Sequence, residues 1–157
     1  MSLLTKQIAK QLRDVYFGGN WTWVNYKDTL NGVTQQQATQ KVHSFNTIAT
    51  LVFHTGYYIT AVTKVFEGKE LDSKDEFAFN HPPIASEASW DAFVKETYAS
   101  AERFAKLIEE MPEEKLWETF VHEKYGNYYR NLTGIIEHLH YHLGQIVLIK
   151  KLITENN

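Results

Sequence analysis

The chain has 157 residues, a formal net charge of −3 and no cysteine. This length is typical of one domain with a substantial core, so we expect a single domain over residues 1–157. The mild acidity and the lack of basic blocks argue against nucleic-acid binding, and the absence of cysteine excludes disulfides and thiolate ligands. No apolar run approaches the roughly 18 residues of a membrane span, and the first residues lack the apolar core of a secretory signal. A cytoplasmic protein without a membrane partner is therefore expected.

Four segments have the three-to-four-residue apolar periodicity of amphipathic helices. The first is expected over 2–17, with Ser2 as its cap and Gly18-Gly19 at its end. The others are expected over 46–66, from 86 or 89 to 111, and from between 127 and 131 to 153. Long connections join them, including a short segment over 34–42, a crossover over 68–86 and a connection over 111–127 in which we expect a short helical turn. No segment is typical of a β-strand, so we predict an all-α four-helix bundle with long crossover connections.

The sequence EHLHYHLGQI, residues 137–146, places three histidines at alternate positions of the last predicted helix. Each residue of an α-helix advances about 100° around the axis. His138 and His142 therefore share one face with Gln145, whereas His140 lies on the opposite side. Isoleucines extend the face of His138 and His142 in both directions, so we expect this face to point into the core.

A third histidine, His54, lies on the second predicted helix, on a face that also carries Leu51 and Ala61. Buried imidazoles need polar partners, and one divalent ion would satisfy His54, His138 and His142 together if the two helices pack in register. Three nitrogen ligands and an open position are the arrangement of catalytic zinc sites. The spacing leaves one alternative, in which the rings are core histidines hydrogen-bonded to tyrosines or carbonyls.

The stretches LVFHTGYY and IIEHLHYHLGQI resemble the DinB/YfiT-like superfamily of small four-helix proteins. In that family, a histidine on the second helix and a His-x-x-x-His pair on the last helix, followed by Gly-Gln, form a three-histidine metal site. The resemblance implies that His54, His138 and His142 are metal ligands here, with Gly144 and Gln145 following them. The chain length, the helix order and the GNWTWV and WDAF neighbourhoods agree with it. Members are often dimers, which favours a homodimer.

The resemblance implies two kinds of activity, because some members are similar to thiol transferases that use bacillithiol, mycothiol or glutathione and others to metal-dependent hydrolases. Imidazole suits several divalent ions, with zinc or nickel foremost. An ion with an open position would promote ionisation of a water for hydrolysis or of a thiol for transfer. We expect a thiol S-transferase acting on small electrophiles, with a cosubstrate thiol because the chain has none. The alternatives are a metal-dependent hydrolase and a non-enzymatic metal- or ligand-binding module.

The sequence assigns no catalytic residue and no further cofactor. Gln145 is a candidate for a hydrogen bond to a ligand histidine or a bound water, or else for an amide in a helix contact. Glu137 is adjacent to His138 in sequence but points about 100° away from it. His81 and His122 lie in loops and are candidate bases only if those loops fold over the site.

Several other residues are expected to have structural roles. Tyr57 and Tyr58 are expected in the core with hydrogen-bonded hydroxyls, and the four tryptophans are also expected to pack. Arg130 is expected at the surface, with contact to an anionic cosubstrate as the alternative. The side of the last helix away from His138 is apolar too, so either the first helix or a second subunit must cover it.

Overall fold

The computed structural model describes residues 3–155, a range that excludes Ser2 and therefore the predicted cap of the first helix. Its α-helices are, in chain order, α1 (Leu3–Phe17), α2 (Tyr26–Leu30), α3 (Gln35–Thr39), α4 (Ile48–Phe66), α5 (Glu87–Glu110) and α6 (Tyr128–Glu155). Short 3-10 turns occupy 75–77, 113–117 and 123–125. The described part of the chain contains no β-strand, and a single antiparallel bridge joins Thr119 and Asn127. The all-α prediction is confirmed, and α1, α4, α5 and α6 are the four predicted long helices.

Local backbone chemistry sets the ends of the long helices. Gly18 and Gly19 have φ angles of +107° and +103°, a conformation that glycine adopts at little cost and that ends α1. Ser86 caps α5: its hydroxyl accepts a hydrogen bond from the backbone N–H of Ser89, whose own hydroxyl bonds back to the Ser86 N–H. This reciprocal capping box places the start of α5 at the earlier of the two predicted positions.

Two short helices precede α4, of which α2 is absent from the sequence-based prediction and α3 lies within the predicted segment 34–42. The side chain of Asn25 caps α2, and Thr34 caps α3 in a capping box with Gln37. Helices of one turn are too short to have visible periodicity and are marginal alone. Both are stabilised here by burial, because Tyr26 and Ala38 are fully buried.

Helix α6 is buried on two sides within a single chain. It packs against α4 on one side and against α1 on another, while α5 closes the bundle against α1 and α4. Leu139, Leu143 and Ile146 are each at most 1% exposed. The first helix therefore covers the second apolar side of α6, and its burial requires no second subunit. No helix within residues 3–155 has both the length and the apolar character needed to cross a membrane.

The expectation that all four tryptophans pack is wrong for Trp21 and Trp23, while Trp117, although exposed, packs against the ring of Tyr129 with 5.3 Å between centroids. Trp90 is buried and its indole N–H donates to the Val33 carbonyl at 2.8 Å, whereas Trp21, Trp23 and Trp117 are 96%, 90% and 58% exposed. The amide of Asn20 donates to the carbonyls of Asp14 and Val24, so it holds a turn in which the side chains of Trp21 and Trp23 face solvent. An aromatic residue type alone does not reveal that direction.

Candidate metal centre

The packing of α4 against α6 brings together the three histidines that the sequence singled out. The ring centroids of His54 and His138 lie 4.9 Å apart, those of His54 and His142 4.7 Å, and those of His138 and His142 4.5 Å. One ring nitrogen from each residue lies within 4.8 Å of the other two. The two helices thus present three imidazoles to a common point, as expected. The same helix geometry directs His140 away from this cluster.

Two of the three rings are buried and the third is partly exposed. His54 is 6% exposed and His142 is 8% exposed, and His138 is half-buried. Burial, followed by repulsion from His142 and His54, lowers the pKa of His138 to about 4. Burial also lowers the pKa of His54 and of His142 below the usual value. The rings are therefore neutral at neutral pH, which is the protonation state that a metal ligand requires.

Neighbouring oxygen atoms fix the tautomers of two of the rings. The Nδ1 of His54 lies 3.2 Å from the Ala78 carbonyl oxygen, and the Nδ1 of His142 lies 2.7 Å from the Oε1 of Gln145. Both oxygens only accept hydrogen bonds, so each Nδ1 carries the hydrogen and each Nε2 keeps a free lone pair. Gln145 thus makes the hydrogen bond to His142 that the sequence suggested. Such outer partners orient the imidazole ligands of metal sites.

The third ring, His138, bonds directly to His54, with 3.0 Å between their Nε2 atoms. Because the His54 Nε2 is an acceptor, the His138 Nε2 carries the donated hydrogen. Two nitrogens that each lie about 2.0 Å from one tetrahedral ion are roughly 3.3 Å apart. In the cluster, the Nε2 atoms of His54 and His138 are 3.0 Å apart, and all three ring nitrogens lie within 4.8 Å of one another. These nitrogen–nitrogen distances are close to the value that one ion requires. The donor set therefore fits a divalent ion after a small shift of the rings and movement of the His138 hydrogen to Nδ1.

The crossover between α4 and α5 folds over the cluster. Phe79 stacks on the His54 ring with a centroid distance of 4.0 Å, and the neighbouring Ala78 supplies the carbonyl that binds His54. Tyr58 contacts the edges of both His54 and His138, and its hydroxyl donates to Asp75 in the same crossover at 2.9 Å. Sequence reasoning missed these contributions. The one available signal was the apolar Phe77-Ala78-Phe79 run in an otherwise charged loop.

Comparison with known families bears directly on this arrangement. The family model of the DinB superfamily matches residues 19–146, a range that contains all three clustered histidines. The chain belongs to the DinB superfamily. The comparisons with curated proteins and with solved structures give no match. In this DinB-superfamily chain, the match extends from the turn after α1 to the middle of α6.

The tyrosines beside the cluster of this DinB-superfamily protein have hydrogen-bonded hydroxyls, as expected, but they are half-buried rather than fully in the core. The Tyr57 hydroxyl donates to the Lys74 carbonyl at 3.1 Å and accepts from its N–H at 2.8 Å. Burial and the hydrogen bond to Asp75 raise the pKa of Tyr58 to about 12, so Tyr58 keeps its proton at neutral pH.

The loop histidines proposed as bases lie elsewhere. His81 packs against Phe53, and its Nδ1 lies 2.8 Å from the Pro82 carbonyl. His122 caps a 3-10 turn by accepting a hydrogen bond from the Lys124 N–H. The contacts found within residues 3–155 bring neither ring to the cluster: the crossover that carries His81 covers the cluster with Ala78 and Phe79, while the His81 ring packs on Phe53 instead.

An open groove of about 630 Å³ adjoins the cluster and runs between α4 and α6. Tyr58 and His138 border it at the cluster end, and Glu137 lines it as well. Glu137 and His138 are adjacent in sequence and about 100° apart around the helix, and both residues line this groove. No carboxylate in the described part of the chain joins the nitrogen cluster within ligating distance.

Proposed function

We propose that His54, His138 and His142 bind one divalent ion, zinc or nickel foremost, through their Nε2 atoms. We further propose that the protein is a metal-dependent S-transferase that joins a low-molecular-weight thiol of the bacillithiol or glutathione type to small electrophiles. The observation that carries the proposal is the convergence of three neutral imidazoles, two of which already donate a hydrogen bond from Nδ1 to an oxygen atom. Membership of the DinB superfamily supports it.

The composition of the cluster favours a thiol over water as the nucleophile. A bound divalent ion with an open position stabilises the anionic form of a group beside it. A free thiol has a pKa of about 8.5 and water one of about 15.7, so a thiol ionises with much less help from a base. No carboxylate within residues 3–155 is among the clustered ligand atoms, and Glu137 is found only in the lining of the adjoining groove. The difference in pKa supports transfer of a thiol rather than hydrolysis.

The surrounding residues would orient the three rings and keep water out. The Ala78 carbonyl and Gln145 hold the rings of His54 and His142 with their Nε2 atoms toward the common point. Phe79 covers one face of His54. Tyr58 stays protonated, and its hydroxyl donates a hydrogen bond to Asp75 that ties the crossover to α4 beside the cluster. These contacts would preorganise the ligands, so ion binding requires little rearrangement.

The test is a thiol-dependence assay on protein purified without a histidine tag and loaded with zinc. A chloronitrobenzene electrophile is incubated with and without bacillithiol or glutathione. We expect conjugate to form only with both ion and thiol, to disappear in His138→Ala and to persist in His140→Ala. The second variant is a matched control, because His140 lies on the same helix outside the cluster.

Other outcomes of this assay would overturn the transferase proposal. Turnover at the same rate with and without added thiol would favour the alternative of a metal-dependent hydrolase. Stoichiometric ion binding without turnover of any thiol or ester tested would leave a metal-binding module. Failure to take up zinc or nickel at all would remove the metal site itself, and with it both enzymatic versions.

We also propose a cytoplasmic homodimer. Low-molecular-weight thiols are kept reduced in the cytoplasm. For the dimer, we infer that a second copy covers the exposed apolar residues Phe45, Leu148 and Leu152, which are 50%, 62% and 36% exposed. They border a second groove of about 510 Å³ between the segment before α4 and the end of α6. Contiguous exposed apolar side chains of this kind are characteristic of protein–protein contacts.

A further inference from the structure

The groove beside His138 extends well beyond the histidine cluster. Its lining includes His138 at one end and Arg130, in the first turn of α6, at the other. A helix rises 1.5 Å per residue, so eight residues along α6 separate these two positions by about 12 Å. That span matches an extended molecule of three to four residue lengths. The groove is therefore long enough for a tripeptide-sized ligand.

Arg130 differs from the other two arginines of the chain in its pairing. Arg13 forms ion pairs with Glu102 and Glu109, and Arg103 pairs with Glu67. The ion pairs found within residues 3–155 include none with Arg130, although its charge is permanent. A guanidinium in this situation at the edge of a groove is available to bind an anion from solution.

The position of Arg130 is nevertheless held by the protein. Its Nη1 donates to the Tyr125 carbonyl at 2.9 Å. Its Cδ lies 2.9 Å from the point where a Cβ on Gly126 would stand, so the side chain lies closely over this glycine, whose φ is +74°. One N–H group of the guanidinium thus holds the side chain in position, and the other N–H groups can bind a carboxylate.

The middle of the groove is kept open by Gly134, which lies one helical turn before His138. A Cβ placed on Gly134 would meet no atom within 4 Å, so the space above it belongs to the groove. Near the cluster end, the acidic residue Glu137 lines the same groove. The groove therefore has a negative charge near the histidines and a positive charge at the far end, which sets a direction for a charged ligand.

We propose that this groove is the cosubstrate subsite, and that it selects an elongated small molecule with a carboxylate at the end remote from the histidines. Arg130 binds that carboxylate, Gly134 gives the ligand its space, and the near end of the ligand reaches the proposed ion. The inference rests on the proposed function only for this last contact. The subsite would restrict the cosubstrate to thiols that carry a carboxylate. Arg130 is the permanently charged cation in the lining of this groove, so a preference for a carboxylate would come from Arg130.

The test compares two probes, glutathione and glutathione diethyl ester, which share the thiol and differ in their free carboxylates. Their dissociation constants are measured by titration calorimetry on zinc-loaded and on metal-free protein. A charge-assisted hydrogen bond changes affinity by about tenfold or more. We expect the zinc-loaded protein to bind glutathione more tightly than the ester by that factor, and we expect Arg130→Gln to abolish the preference.

Two matched controls isolate the groove from general effects. Arg103→Gln removes the same charge from an arginine outside the groove and should leave the preference intact. Gly134→Leu should weaken both probes at least about tenfold by filling the space, whereas Gly144→Leu, at a glycine of the same helix that is equally open to a Cβ, should not. Thermal unfolding of all four variants verifies that each one folds.

The outcomes separate this inference from the proposed metal site. If zinc is not taken up, the proposed function fails, and a preference for glutathione in the metal-free protein that disappears in Arg130→Gln still supports the anion subsite. Equal binding of the ester, or a preference that survives Arg130→Gln, overturns the subsite even if zinc binds fully.

Discussion

The two buried faces of α6 are built on opposite principles. One face packs Leu139, Leu143 and Ile146 into the core, and its stability comes from apolar area removed from water. The other face points His138 and His142 at α4, where burial of polar nitrogens costs free energy unless each one has a partner. The protein supplies such partners through Gln145 for His142 and through His54 for His138.

This difference shows what each face specifies. The apolar face requires only side chains of suitable volume and shape opposite it, and other helices of the same chain supply them. The histidine face orients the Nε2 atoms of three neutral rings toward one point, where we propose that they bind a divalent ion. We therefore expect substitutions on the apolar face to change the stability of the fold, and substitutions on the histidine face to change ion binding.

The largest expected effect on stability comes from Leu143→Ala. Leu143 is 1% exposed, and removing a buried leucine side chain costs about 2–5 kcal/mol of the free energy of unfolding. Urea unfolding of the metal-free protein measures this loss. The variant that remains folded should bind zinc with unchanged stoichiometry. If the Leu143→Ala protein is folded but does not bind added zinc, then the apolar face also determines ion binding, which contradicts the proposed division of roles.

Gln145→Leu is expected to have a smaller effect on stability and to change mainly the affinity for the ion. Without the 2.7 Å hydrogen bond to Nδ1, the His142 ring loses its fixed tautomer and orientation. Loss of such an outer partner weakens metal affinity by roughly 10–100-fold. Competition with a chromophoric chelator measures the change. Gln36→Leu, at an exposed position of α3, serves as control, and equal zinc affinity of the two variants would refute the role of Gln145.

The pH dependence of stability sharpens the same contrast. Burial, with repulsion from the neighbouring rings, gives His138 a folded-state pKa of about 4, below its ordinary value of about 6.5 in the unfolded chain. The unfolded state therefore binds more protons between these values, so stability is complete above pH about 6.5 and falls toward pH 4. Burial lowers the pKa of His54, His140 and His142 with the same sign.

Thermal unfolding of metal-free protein at a series of pH values tests this dependence. The His138→Asn variant should show a shallower decline than the wild type, while part of the decline persists because the other three histidines remain. A decline of identical steepness in both proteins would show that His138 is not held neutral by its surroundings.

The smallest effect on folding is expected for Leu148→Lys, which lies on the exposed side of α6. Because Leu148 is 62% exposed, its replacement should change the free energy of unfolding by no more than about 0.5 kcal/mol. It should nevertheless dissociate the proposed dimer, which sedimentation velocity detects. Wild-type protein that sediments as a monomer at all concentrations tested would remove the dimer and the proposed interface.

The sequence revealed those parts of the fold and the site that depend on helical periodicity. The long helices follow from their apolar spacing, and the placement of His54, His138 and His142 on facing sides follows from the 100° advance per residue. Gln145 was found by the same argument, since it returns to the face of His138 after two turns.

The parts that sequence reasoning missed depend on loop paths, which no periodicity encodes. The crossover brings the Ala78 carbonyl, Phe79 and Asp75 to the cluster through backbone turns and single side-chain contacts. The outward direction of Trp21 and Trp23 likewise depends on the hydrogen bonds that Asn20 makes to the backbone. Such contacts join residues without a repeating pattern, so they become visible only in three dimensions.

Elemental analysis of the protein, purified without a histidine tag and dialysed against zinc or nickel, tests the central claim most directly. We predict one divalent ion per chain in the wild type and in His140→Ala, and a loss of that ion in His142→Ala with the helical fold retained. Wild-type protein that holds no ion after such treatment, or a His142→Ala variant that retains it in full, would contradict a shared metal site on α4 and α6.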